Sequence, residues 1–229
     1  MIGGLTAGTL PFAGTGGTQR TQDVERPTPR PEETPSPGVP YKDGPKQVLN
    51  SGKQYEAVLK TDKGEIRIEM FADQAPEAVN SFVFLAQEGF YNGLEFFFVR
   101  QGFVAQTGDP TCDASGIGTC TGTGSPYPSD FGLPLEANDQ SHVRGAVVLP
   151  ATIEGEKVHG SQFRILLADD SSRLDGKETV FGRVVEGLDV LEGVGDIVPC
   201  FGTEPSESNP CEVDPAKGLV IEDVAIKAT

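Results

Sequence analysis

The chain has 229 residues, 37% hydrophobic and 23% charged, which is enough for one well-filled globular domain with extra segments and unlike a bundle of membrane spans. A formal charge of −16 at neutral pH argues against nucleic acid as a partner, because this field repels a phosphate backbone. Neutral or basic partners are expected.

Residues 1–53 differ from everything after them. "MIGGLTAGTLPFAGTGG" is a Gly/Thr segment, and "ERPTPRPEETPSPGVPYKDGP" is dense in proline with few apolar residues, so neither buries enough surface to offset its ordering entropy. This region reads as a tether, a spacer that holds a domain away from an anchor. No secretory signal is visible in it, since the start has no basic residue and its apolar stretch is broken by Gly, Thr and Pro. An exported form implies a leader removed upstream, with membrane attachment through that segment.

Residues 54–229 carry the pattern of a compact β-rich domain. "YEAVLKTDKGEIRIEMF" alternates at Ile66, Ile68 and Met70 against Arg67 and Glu69, with Asp62, Lys63 and Gly64 as a hairpin turn. "APEAVNSFVFLAQEG" places Val79, Phe82, Val83 and Ala86 at helical spacing, with Pro76 in the first turn and Gly89 as a stop. In "EFFFVRQGFVAQTGDP" an apolar run is broken at Gly102, as in a pair of strands. "GAVVLP", "SQFRILLA", "KETVFGRVV" and "GLVIEDVAIKA" predict further strands, and "GLDVLEGV" a short helix. Many short strands with few helices predict a mainly β fold, a closed barrel capped by helices.

The four cysteines fall in two local pairs, Cys112 with Cys120 and Cys200 with Cys211, each in a loop rich in Gly, Ser, Thr or Pro. Two disulfides and an oxidising, extracytoplasmic compartment, a periplasm or a lumen, are expected. Zinc and free buried thiols are the competing readings. Zinc needs four close ligands, and His142 and His159 lie in other segments, so no metal is expected.

Five collinear stretches, "PEAVNSFVFLAQEGFYNGLEF", "GFVAQTGDP", "HVRGAV", "GSQFRI" and "LDGKETVFGRVVEGLDVL", resemble the cyclophilin-type peptidyl-prolyl cis-trans isomerases from about Tyr55 to Ile226. The resemblance implies an eight-stranded antiparallel barrel closed by two helices, with an outer groove for proline-containing polypeptides and no cofactor. It covers neither the tether nor the insertion from Cys200 to Cys211. It assigns substrate binding to Gln106, and lining of the proline pocket to Phe103, Val104 and Leu174. Ordinary barrel packing is the alternative for the three apolar residues, whereas an amide such as Gln106 amid apolar neighbours has to find partners.

Other positions depart from the family pattern. Ungapped pairing sets Phe96, Phe97 and Phe98 on the family's Phe-His-Arg triplet, leaving Phe98 in the catalytic arginine's place. A gapped pairing sets Phe98, Val99 and Arg100 there instead. Alternation puts Phe98 and Arg100 on one strand face about 7 Å apart, within an arginine stem's reach; Arg100 snorkelling to water at the barrel rim is the alternative. Arg164 stands where the family has phenylalanine, and Arg173 and Glu178 where it has tryptophan and histidine. A charge in a dry pocket is costly unless paired, so Arg164 and Glu178 are expected to form a salt bridge that reshapes the pocket.

Two readings follow, with a third from another class. Arg164 or Arg100 supplies the guanidinium of an isomerase with altered or reduced activity, or the groove is a catalytically weak module binding proline-containing segments. The third, a carbohydrate- or lipid-binding barrel, requires an interior cavity. Arg173 in place of tryptophan implies weak or no cyclosporin binding. The X-Pro bonds of the tether are expected to bind the groove of the same or a neighbouring molecule.

Overall fold

The computed structural model describes Gly3 and residues 41–112, 120–152, 157–169, 176–198 and 218–229. Arg173, Leu174, Cys200, Cys211 and most of the tether lie outside these residues. Strands β1 (Tyr55–Thr61) and β2 (Gly64–Met70) form the expected hairpin, with Thr61 paired to Gly64. Helix α1 (Pro76–Gln87) follows, then β3 (Phe98–Arg100), β4 (Val104–Thr107), β5 (Leu133–Pro134), β6 (Ala146–Leu149), β7 (Lys157–Val158), β8 (Phe163–Leu166), β9 (Thr179–Glu186), α2 (Leu188–Gly193) and β10 (Ile221–Ala228). Every strand named from the pattern is present. The two-residue pair β5–β7 is too short to leave a periodic signal.

Eight strands form one curled antiparallel sheet in the order β10-β1-β2-β9-β6-β8-β4-β3. Among the described residues no ladder joins the edges β10 and β3. An isolated bridge between Glu95 and Val220 spans the seam, with Phe96 N donating to Leu219 O at 2.9 Å. The concave side is filled by aromatic rings: Phe82, Tyr91, Phe163 and Phe181 are buried, with centroids 5.1–6.4 Å apart. A filled interior leaves no room for the sugar or lipid of the third reading.

Helix α1 is buried on more than its apolar stripe, because a segment read from sequence as the end of the tether packs over it. Val48 N and Leu49 N donate to Oδ1 of the buried Asn80 at 2.8 and 3.4 Å, and Asn80 Nδ2 donates to Lys46 O at 3.0 Å. Tyr41 meets Phe84 edge-on at 5.1 Å. The segment from Tyr41 to Leu49 is thus held against α1. The reason is one buried amide that satisfies three backbone groups, a pairing that composition does not reveal.

No side chain of its own caps the N-terminus of α1. Glu136, distant in sequence, accepts from Glu77 N at 3.0 Å and Ala78 N at 2.9 Å. Burial raises the Glu136 carboxyl above its ordinary value of 4.5; these two donors offset part of the rise and the nearby Glu77 adds to it. The folded state therefore holds this proton more tightly than the unfolded chain. Its contribution to stability is fully present below the unfolded value and is lost as pH rises through the raised one. Urea midpoints between pH 4 and 7 are expected to fall less with rising pH in Glu136→Gln than in the unmodified protein. Parallel profiles would remove this role.

Candidate active site

Alternation along the strands sorts the sheet into two faces. Val99, Ala105, Val147, Phe163, Ile165 and Phe181 face the core, whereas Val104, Ala146, Val148, Leu166 and Val180 form a separate outer cluster with Phe98 and Phe71 against it. Register then sets side chains in a row across five strands: Phe98 opposite Gln106, Gln106 opposite Arg164, Arg164 opposite Val148, and Val148 opposite Val180. Glu178 lies two residues before Val180.

The polar members of this row, with Glu178 and Gln162 at their ends, form a chain of hydrogen bonds in which Arg164 donates to both sides. Arg164 Nη1 donates to Glu178 Oε1 at 2.8 Å, and Arg164 Nε donates to Gln106 Oε1 at 2.9 Å. Gln106 Nε2 donates to Gln162 Oε1 at 2.8 Å, and Gln162 Nε2 donates to Gly124 O at 2.9 Å. Each side-chain amide is oriented at both ends, so neither flips without breaking two bonds. The Arg164–Glu178 pair joins a side chain 29% exposed to one 6% exposed. The charge that replaces an aromatic ring is therefore paired. Among the described residues Arg164 Nη2 makes no hydrogen bond, which leaves one edge of the guanidinium for a ligand.

His159 stands near this chain. Burial, and then the Arg164 cation, lower its pKa from 6.5, with Asp109 acting the other way, so it is neutral at pH 7. A cleft of about 220 Å³ adjoins Glu178, lined also by Asn138, His142, Gly176 and Val180. A larger one, about 540 Å³, is lined by Tyr55, Met70 and Phe71 among others and shares no member of the row.

The remaining sequence-derived residues are placed as follows. Val104 is buried on the outer face, and Phe103 is 40% exposed, an unusual position for a large ring. Arg100 stands opposite Val104, two steps from Phe98, and pairs with Asp196 at 3.7 Å rather than with any member of the row. Cys112 and Cys120 are disulfide-bonded and packed with Phe97 and Phe98, which excludes zinc or free thiols for that pair. Gln162 was not singled out from sequence. Its signal was present in "GSQFRI", where it lies just before β8 and two residues before Arg164, the spacing that sets two side chains on one face of an extended chain.

The family model for cyclophilin type peptidyl-prolyl cis-trans isomerases matches residues 57–217, well over half of the 229. This chain belongs to that family. A Helicobacter pylori peptidyl-prolyl cis-trans isomerase is 42% identical over 146 residues, which cover 62% of this chain and 82% of the relative. The Schizosaccharomyces pombe isomerase ppi1 is 40% identical over 149 residues, covering 65% of this chain and 90% of the relative. A crystal structure of a Cryptosporidium parvum cyclophilin type isomerase, 23% identical, has a TM-score of 0.59 and covers 77% of this chain and 99% of its own. The same protein in the presence of the dipeptide Ala-Pro gives 0.59 at 24% identity, covering 76% and 99%. These two likenesses support the fold. The named relatives are enzymes, and the cyclophilin described here is a member of that enzyme family.

Proposed function

We propose that this cyclophilin isomerises X-Pro bonds of polypeptides with altered, reduced activity, and that Arg164 supplies the guanidinium. Rotation about the bond breaks amide resonance, a barrier of about 18–20 kcal/mol, and makes the prolyl nitrogen a better hydrogen-bond acceptor. A donor fixed in place before the bond twists stabilises the twisted state over the planar one. The observation that carries this reading is the guanidinium of Arg164, held by Gln106 and Glu178 on the outer face with Nη2 uncommitted among the described residues. Phe98, Phe103 and Val104 line the groove, with Leu174 and Arg173 assigned there by family pattern. Gln106 keeps one N–H for the substrate backbone. Arg100 is the lesser choice, since it turns toward Asp196.

The second reading, a binding module for proline-containing segments, is favoured by one feature: an apolar ring, Phe98, faces Gln106 where the family pattern places arginine. Two-dimensional NMR exchange on a short Ala-Pro peptide separates the two. Faster cis-trans exchange with catalytic amounts of protein supports the isomerase. Shifted peptide resonances without faster exchange would make it the binding module.

Arginine at position 173 removes an aromatic contact for cyclosporin. Titration calorimetry is expected to show no nanomolar binding, and a nanomolar constant would sink this expectation. The disulfide supports an oxidising compartment.

A further inference from the structure

The hydrogen-bonded chain through Arg164, Gln106 and Gln162 ends at a backbone carbonyl, Gly124 O, and what fixes that carbonyl lies one step further. Asp109, in the turn after β4, is fully buried. Its Oδ1 accepts from Thr111 N at 2.8 Å and Thr111 Oγ1 at 2.7 Å, and its Oδ2 accepts from Gly124 N at 2.8 Å. A buried carboxylate is costly unless donors converge on it, as they do here. The bonds to Thr111 are local and serve the turn. The bond to Gly124 is not local, since it crosses 15 positions.

The loop between these ends has ties of its own. Cys112 and Cys120 are disulfide-bonded, and Thr121 N donates to Thr111 Oγ1 at 3.0 Å. Gly124 lies beyond them, and a Cβ there would collide with Asp109 Oδ1, so only glycine brings its backbone this close to the carboxylate. From Gly124 O the chain passes to Gln162 Nε2, from Gln162 Oε1 to Gln106 Nε2, and from Gln106 Oε1 to Arg164 Nε. Four hydrogen bonds thus connect the carboxylate to the guanidinium. Each amide keeps its direction only while the next acceptor stays in place.

We infer that Asp109 is a positioning residue of this active site: by fixing the Gly124 backbone it sets the direction of the Gln162 and Gln106 amides and, through them, of the Arg164 guanidinium. Its effect on turnover rests on the isomerase reading of Arg164.

Asp109→Asn keeps the size of the side chain but, with Oδ1 on Thr111, sets an NH2 group against Gly124 N, donor against donor. Full-length Asp109→Asn, Gln162→Leu and the double variant are compared. Thr111→Val is the control, weakening the same loop while leaving the bond to Gly124. Turnover of an Ala-Pro peptide is read per folded molecule, and the Arg164 Nε–H resonance is followed by proton-nitrogen NMR. Each single change at Asp109 or Gln162 is expected to lower kcat/KM about tenfold, less than the loss when a reacting group is itself displaced. The double variant is expected to lose no more than either, because one route carries both effects. The resonance moves in Asp109→Asn and stays in Thr111→Val, which loses stability alone. Losses that multiply to about 100-fold in the double variant overturn the inference, as does an unmoved resonance or unchanged turnover in Asp109→Asn. If the unmodified protein does not speed exchange at all, the isomerase reading falls and the resonance alone decides the positioning role. Asp109→Ser, too short to reach Gly124, supplies the same readouts where the asparagine form does not fold.

Discussion

Replacing Arg164 by alanine is expected to lower kcat/KM toward an Ala-Pro peptide by on the order of 10²-fold, as when a prepositioned transition-state donor is lost. Arg100→Ala is expected to stay within about twofold, because an exposed ion pair contributes little. Arg164 also accompanies Glu178, whose carboxylate is buried and would lose this partner, so part of any loss could come from the fold. Arg164→Lys separates the effects. It keeps the charge but not the fork that reaches Gln106 and Glu178 together, and about tenfold loss is expected with circular dichroism unchanged. Equal turnover in Arg164→Ala and Arg100→Ala would discard the relocated guanidinium.

The second large effect lies in the backbone under the site. Gly108 has φ +91°, a conformation L side chains rarely adopt, and a Cβ there would collide with the Ser161 carbonyl oxygen and lie 2.8 Å from Gln162 Cα. This close approach brings the strand of Gln106 against the chain that carries Gln162. Gly108→Ala is expected to destabilise the fold by about 3–5 kcal/mol, read from urea unfolding. It is also expected to raise KM in whatever fraction stays folded. A loss under about 1 kcal/mol would show that the two backbones separate easily.

The fold was legible in the sequence wherever a face is buried against the core. Ile66, Ile68 and Met70 alternate because only one side of β2 is dry, and Val79, Phe82, Val83 and Ala86 repeat because α1 lies across the sheet. Legibility ended where the partners are distant. Glu136 looks like any surface acid until its helix is in place, and Asn80 like a helical polar residue until Val48 and Leu49 reach it. At the site, the pairing of Arg164 with Glu178 was foreseeable, since two unlike charges replacing rings in one pocket have to meet. Gln162 shares its alternation with Arg164, but its role comes from bonds to Gln106 and Gly124, 56 and 38 positions away, which only the folded chain brings to it. For the same reason Arg100 could be separated from the row only once Asp196 was placed.

The hydrogen-bonded row has a consequence for the order in which the protein acquires competence. Its links join residues separated in sequence by 58, 56, 38 and 14 positions, and no two consecutive members come from one hairpin. Each link needs a loop closed before it forms, so none exists in a chain where only local structure has been made. In refolding from denaturant, far-ultraviolet circular dichroism would recover early and isomerase turnover last. An activity trace would then time the final long-range step of folding.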